Sequence, residues 1–158
     1  MIRNQAVKFG SNVDTDQIIG AHHLKLATIQ EMVPYTFEMD ERFVRDFKSG
    51  NIVVGERNFG CGSSREQAPA VMKAIGISAV IAKSFARIFY RNAINLGIPV
   101  LVCAQSDQIN HGDHLLIDVE NGTITNETNQ AIYQFEPLAP FIKDILEQGG
   151  IVNTILNH

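Results

Sequence analysis

Between residues 52 and 103 short apolar runs alternate with helix-length stretches, and glycine or proline marks most of the changes. Ile52-Val53-Val54 is β-branched, runs into Gly55 and reads as a strand. A Gly-rich loop follows, Asn58-Phe59-Gly60-Cys61-Gly62-Ser63-Ser64. A helix then opens between Ser63 and Pro69 and closes at Gly76. Ser63 and Glu66 have capping-box spacing. Pro69 suits a first helical turn and argues for a later start. Ala79-Val80-Ile81-Ala82 reads as a buried strand, and Ser84 is placed to cap a helix over residues 85–96, ended by Gly97 and Pro99. Residues 99–103 give another apolar strand. The order strand, helix, strand, helix, strand predicts a parallel, right-handed α/β core.

The flanks are less regular. Residues 5–9 alternate weakly and suggest a first strand. Residues 12–16 are polar and turn-like, and residues 20–27 read as a loop. From 28 to 47 the apolar residues Met32, Phe37, Phe43, Val44 and Phe47 mix with charges in an irregular or helical pattern, and Gly50 ends it. Past the core, residues 114–119 and 123–125 read as a hairpin joined by Glu120-Asn121-Gly122. A last helix spans residues 140–148 and stops at Gly149-Gly150. The expectation is one domain over residues 1–158, α/β in class, with a mixed sheet and flanking helices.

Composition narrows the function. The 158 residues are 45% hydrophobic and 19% charged, enough for an ordinary core. With a net charge of −4, no basic block and no Trp, nothing offers to hold nucleic acid. The first residues carry no signal-peptide pattern, and no apolar run is long enough for a membrane span. Two cysteines, Cys61 and Cys103, do not make a disulfide framework, so free thiols in the cytoplasm are expected. Nor can two thiols supply the three or four ligands of a [4Fe–4S] cluster.

The loop Gly60-Cys61-Gly62-Ser63-Ser64-Arg65-Glu66 carries the sharpest chemistry. Its glycines let backbone approach a ligand, and N–H groups at the next helix start favour an anion. Ser63 and Ser64 add hydroxyls, and Arg65 can grip a carboxylate with two parallel bonds. This describes a carboxylate or phosphate cradle; a tight turn with an ordinary cap is the plain alternative. No Lys-Ser/Thr follows the last glycine, and the third glycine of a dinucleotide fingerprint is missing. Cys61 reads as a small lining residue rather than a nucleophile, because no His lies in the segment. Asp14, Thr15 and Asp16 form either a turn with side-chain bonds or a device that positions an arginine or a substrate hydroxyl. His22 and His23 are adjacent, and on a strand they would point to opposite faces, poor geometry for a metal. His111 and His114 read as solvated loop residues. Lys83, Arg87 and Arg91 read as a solvated stripe before the edge of an anionic site.

Four ordered stretches resemble the aconitase swivel-domain family, and in particular the free-standing small subunits of 3-isopropylmalate dehydratase and homoaconitase. They are Asn12-Val13-Asp14-Thr15-Asp16-Gln17-Ile18-Ile19, the run from Gly55 to Ala68, Ala82-Lys83-Ser84-Phe85-Ala86-Arg87-Ile88-Phe89-Tyr90-Arg91-Asn92, and Asn95-Leu96-Gly97-Ile98-Pro99. Together they span nearly the whole chain. The resemblance implies a swivelling β/β/α domain and a hydro-lyase that isomerises 2- and 3-isopropylmalate by removing and re-adding water, in leucine biosynthesis. It implies no cofactor in this chain and a separate large subunit carrying a [4Fe–4S] cluster, paired as a heterodimer or heterotetramer. By the same resemblance Ser63 is the catalytic base, Ser64 and Arg65 bind substrate carboxylate, and Thr15 and Asp16 reach the active site. Lys25, between Leu24 and Leu26, falls where family members vary with substrate. An apolar neighbourhood there suits isopropylmalate, and a cation suits homoaconitate. The chain departs from the family at Gln67, where His is common, at Gly20, where Pro is common, and at Ala27, where long aconitases place an arginine. The alternatives are a homoaconitase or dimethylmalate dehydratase small subunit, a stand-alone anion-binding module, and an interaction protein whose cradle holds no ligand.

Overall fold

A computed structural model describes residues 1–157. Seven strands form one sheet in the order β4-β3-β2-β1-β5-β6-β7. These are β1 (Ile2–Lys8), β2 (Ile52–Val54), β3 (Ala79–Ala82), β4 (Val100–Val102), β5 (His114–Asp118), β6 (Thr123–Asn126) and β7 (Ala131–Gln134). β1 to β4 run parallel, and β5 to β7 are antiparallel. The predicted mixed sheet is therefore present. Its parallel part is tied by α4 (Gln67–Ile75) between β2 and β3 and α5 (Arg87–Asn95) between β3 and β4. The remaining helices are α1 (Thr15–Ile18), α2 (Ile29–Met32), α3 (Glu41–Asp46), α6 (Pro140–Gln148) and α7 (Ile151–Asn157).

The pleat sorts the parallel strands into two cores. Val7, Val53, Val80, Ala82 and Val100 face one side, where α4 and α5 cover them with Ala68, Val71, Met72, Phe89, Ala93 and Ile94. Ala6, Ile52, Val54, Ala79, Ile81 and Leu101 face the other. That second face meets Leu115, Ile117, Ile124 and Tyr133, so the antiparallel half of the sheet curls back over the parallel half. The Glu136 N–H donates to the Val102 carbonyl at 2.8 Å, bringing the chain after β7 onto the edge strand β4. Burial on both faces explains why β2, β3 and β4 are apolar at every position.

Several local expectations change. Ser63 does not cap α4; its N-cap is Glu66, without a side-chain bond, and Pro69 falls in the first turn as its ring requires. The capping box belongs to α1 instead. The Asp14 carboxylate accepts from the Gln17 N–H, and the Gln17 side chain accepts from the Asp14 N–H, both at 2.8 Å. Ser84 caps nothing either. Residues 84–86 stay extended because they pair with the Gly-rich loop, so α5 begins at Arg87. The hairpin of β5 and β6 is present, but residues 119–122 form a four-residue loop in which only Gly122 has positive φ. β7 and α7 were not anticipated.

Candidate active site

The site lies beyond the carboxyl ends of β1, β2 and β3, where parallel α/β sheets commonly hold their ligands. Residues 58–65 are held from both sides. Toward β1, Gly60 N–H donates to the Val13 carbonyl at 2.7 Å and Thr15 N–H to the Cys61 carbonyl at 2.9 Å. Toward β3, Phe59 N–H donates to the Ser84 carbonyl at 3.0 Å and Ala86 N–H to the Phe59 carbonyl at 2.9 Å. The Ser84 hydroxyl, freed from capping, accepts from Asn58 N–H at 2.8 Å. Asn12 and Asn58 both take positive φ, which asparagine tolerates, and the Asn58 side-chain amide Nδ2 donates to the side-chain Oδ1 of Asn12 at 3.3 Å. Gly60 has φ +83°, and a Cβ there would lie 2.2–2.7 Å from Phe89. Glycine thus lets the buried Phe89 ring close under the loop.

A cavity of about 310 Å³ opens above this frame, lined by Thr15, Ser63, Ser64, Arg65, Arg87 and Asn92 among others. The Ser63 carbonyl accepts from the Thr15 hydroxyl at 2.9 Å and from Arg65 N–H at 2.8 Å. The backbone of Ser63 is therefore fixed, while its exposed hydroxyl has no partner among the described residues. Arg65, 16% exposed, is anchored through one nitrogen: Nη1 donates to Asp16 Oδ1 at 3.1 Å and to the Ile19 carbonyl at 3.0 Å. Its Nε and Nη2 make no such bond, so the edge that fits a carboxylate bidentately is left free. The Arg65 bond, with the Ala21 N–H adding to it, holds the Asp16 carboxyl below the ordinary 3.8.

Thr15 is buried, and its hydroxyl is engaged by the Ser63 carbonyl. Asp16 meets Arg65 and Ala21 N–H, and is not among the residues lining the cavity. Lys25 is exposed, with half-buried Leu24 and Leu26 packed against the core on either side, and it does not line the cavity. Of the two sequence readings of Arg87, a solvated stripe or the edge of an anionic site, the structure favours the second. It opens α5 at the cavity wall, with no bonding partner among the described residues. Lys83 turns away and pairs with Asp107 at 3.2 Å. Cys61 is half-buried in the loop and Cys103 is buried in the second core. Two thiols fall short of the three or four ligands of a [4Fe–4S] cluster.

His22 and His23 sit on a single turn of 3₁₀ helix, Ala21–His23, not on a strand. Their rings touch, with centroids 3.9 Å apart, and both approach Glu38.

A parallel sheet backed by helices, a curled antiparallel half and a serine–arginine loop at the strand ends define the aconitase C-terminal domain class. The family model of that domain matches residues 41–106. The chain belongs to the family of 3-isopropylmalate dehydratase small subunits. It is 50% identical to the small subunit 1 of Archaeoglobus fulgidus, over 94% of this chain and 92% of that protein. Its identity with the Clostridium botulinum small subunit is 45%, over 99% and 98%. A crystal structure of 3-isopropylmalate dehydratase from Methanocaldococcus jannaschii superposes with a TM-score of 0.93 at 41% identity, over 99% of this chain and 93% of that one.

Proposed function

We propose that this chain is the small subunit of a hydro-lyase that isomerises 2- and 3-isopropylmalate, and that it supplies the base from Ser63. The observation that carries the assignment is the Ser63 hydroxyl, unpaired on a backbone fixed by two hydrogen bonds to its own carbonyl. Removal of water from a hydroxy-dicarboxylate needs a base at the carbon that loses its proton and cations on the carboxylates. Arg65 offers a free guanidinium edge to one carboxylate, and Arg87 adds positive charge to the same cavity. Ser64 adds an unpaired hydroxyl beside them. A serine hydroxyl is a very weak base. Its deprotonated form needs these nearby donors and the exclusion of water from an open cavity. Thr15 and Asp16 act indirectly, the first by orienting Ser63 and the second by orienting Arg65.

The two thiols fall short of the ligands of a [4Fe–4S] cluster, so we assign the cluster to a separate large subunit that closes over this cavity. Every step assigned here belongs to this chain's own residues. The seven strands form one sheet, which supports reading residues 1–158 as a single domain. No helix among the described residues is long and apolar enough to cross a membrane. Two free thiols suit the reducing cytoplasm. Isopropylmalate is the preferred substrate because the relatives of this chain are named for it, and because Lys25, exposed and outside the cavity lining, can send its charge to water rather than meet an extra carboxylate.

The test mixes this chain, under anaerobic conditions, with a cluster-bearing large subunit of a 3-isopropylmalate dehydratase and follows the unsaturated intermediate by its ultraviolet absorbance. Turnover should need both chains. Turnover by this chain alone would overturn the assignment. So would tight dicarboxylate binding by the lone chain with no turnover in any mixture, which is the mark of a binding module.

A further inference from the structure

We propose that His22, His23 and Glu38 form a binding site for a divalent transition-metal ion of the zinc type. One ligand atom from each residue lies within 4.8 Å of the others. His23 Nε2 is 2.7 Å and His22 Nε2 3.7 Å from the same oxygen, Glu38 Oε1. Ligands around a tetrahedral zinc ion sit about 3.3 Å apart, given bonds of about 2.0–2.1 Å. The two distances to Glu38 fall on either side of the required spacing, each within about 0.6 Å of it, and His22, the most exposed of the three, is the freest to adjust. Two imidazoles and one carboxylate suit zinc, cobalt or nickel, and leave at least one position open.

The surroundings aim these groups together. The 3₁₀ turn splays neighbouring side chains by about 120°, not the 180° of a strand, so both rings reach one side. The His23 ring stacks on Tyr35 with centroids 3.9 Å apart and an interplanar angle of 10°, which fixes its plane. Gly20 makes room for His22: a Cβ at position 20 would lie 2.8 Å from His22 Cε1 and 3.0 Å from Nδ1. Glu38 follows Phe37, a buried residue held at φ +50°. A bound ion would tie the turn at 21–23 to the segment at 38. That turn follows Ile19 after the single residue Gly20 and includes the Ala21 amide; the Ile19 carbonyl and the Ala21 amide are the groups that anchor Arg65 and Asp16.

The experiment titrates the full chain, freed of metal by chelator, with Co²⁺ and then with Zn²⁺. Wild type should take up one equivalent of Co²⁺ with a visible spectrum of nitrogen and oxygen ligation, lacking a thiolate charge-transfer band. Zn²⁺ should displace it. His22→Ala and Glu38→Gln should each weaken binding by more than about tenfold, since loss of even an outer-shell partner costs 10–100-fold. Gly20→Ala should weaken it as well, by crowding His22, while far-UV circular dichroism stays unchanged. Ring resonances of His22 and His23, and not those of His111 and His114, should shift on Zn²⁺ addition. No saturable binding by wild type would overturn the proposal. A thiolate band, or full affinity retained in both His22→Ala and Glu38→Gln, would do the same. None of these readouts needs the large subunit or the hydro-lyase reaction.

Discussion

Replacing Gly60 with alanine should cost stability through two separable terms. The first is backbone strain, since φ is +83° and the left-handed region costs an L-residue about 1–2 kcal/mol. The second is overpacking. The new methyl would lie 2.2–2.7 Å from Phe89, and forcing a side chain into a packed core costs about 1–3 kcal/mol. Together they come to about 2–5 kcal/mol, or a fall in Tm of about 4–20 °C for a domain of this size. Two other glycines separate the terms. Gly112 has φ +85° with nothing within 4 Å of its would-be Cβ, so Gly112→Ala measures strain alone. Gly10 has open space and no positive φ, so Gly10→Ala should stay within about 0.5 kcal/mol of wild type. Urea unfolding followed by circular dichroism gives all three midpoints, and unchanged m-values license the comparison. If Gly60→Ala loses no more than Gly112→Ala, the close approach of Phe89 beneath the loop is refuted.

Other outcomes follow from single contacts. The Arg45 guanidinium, then His111, hold the Asp46 carboxyl well below 3.8, and Arg65 lowers that of Asp16. Depressed carboxyls contribute stability above the unfolded aspartate value and lose it as pH falls through their folded values. The double variant Asp16→Asn, Asp46→Asn should therefore show a shallower loss of stability below about pH 4 than wild type, read as urea midpoint against pH. His111→Ala removes the acceptor of Lys8 N–H, bonded at 3.1 Å. It should lower stability by about 1–3 kcal/mol, seen as a reduced urea midpoint. Asn126 is fully buried and donates to Asp113 Oδ2 at 2.8 Å. Asn126→Ala, which leaves that buried carboxylate short of a donor, should cost about 2–4 kcal/mol by the same assay.

The core from residue 52 to 103 was legible because both-faced burial forces strands that are apolar at every position, with helical stretches between them. The Gly-rich loop was legible too, since glycines followed by hydroxyls and an arginine have few other uses. β7 escaped because Ala131–Gln134 is only four residues long, too short for alternation to stand out. α7 escaped because it follows two glycines that end α6, and its apolar residues Val152, Ile155 and Leu156 are exposed rather than packed. The capping spacing noted at Ser63–Glu66 is illusory, and the true capping box, at Asp14–Gln17, went unremarked in the sequence. The Ser63 carbonyl is drawn back toward Thr15 and Arg65, a long-range pairing that spacing cannot reveal. Pairing of residues 84–86 with the loop likewise moved the start of α5 to Arg87 and turned that side chain to the cavity. The approach of Glu38 to His22 and His23 depends on how residues 24–37 fold back, which no local pattern encodes.

The base assignment is tested most directly by the kcat of Ser63→Ala in the reconstituted complex with the large subunit. The Ser63 hydroxyl has no partner among the described residues, so its loss should leave the fold of this chain intact. A positioned base contributes about 10²–10⁴-fold and acts mainly in the transition state. We predict a fall of that size in kcat, with KM for isopropylmalate changed by no more than a few-fold. A variant that assembles with the large subunit and keeps kcat within about tenfold of wild type would contradict the assignment of Ser63 as the base.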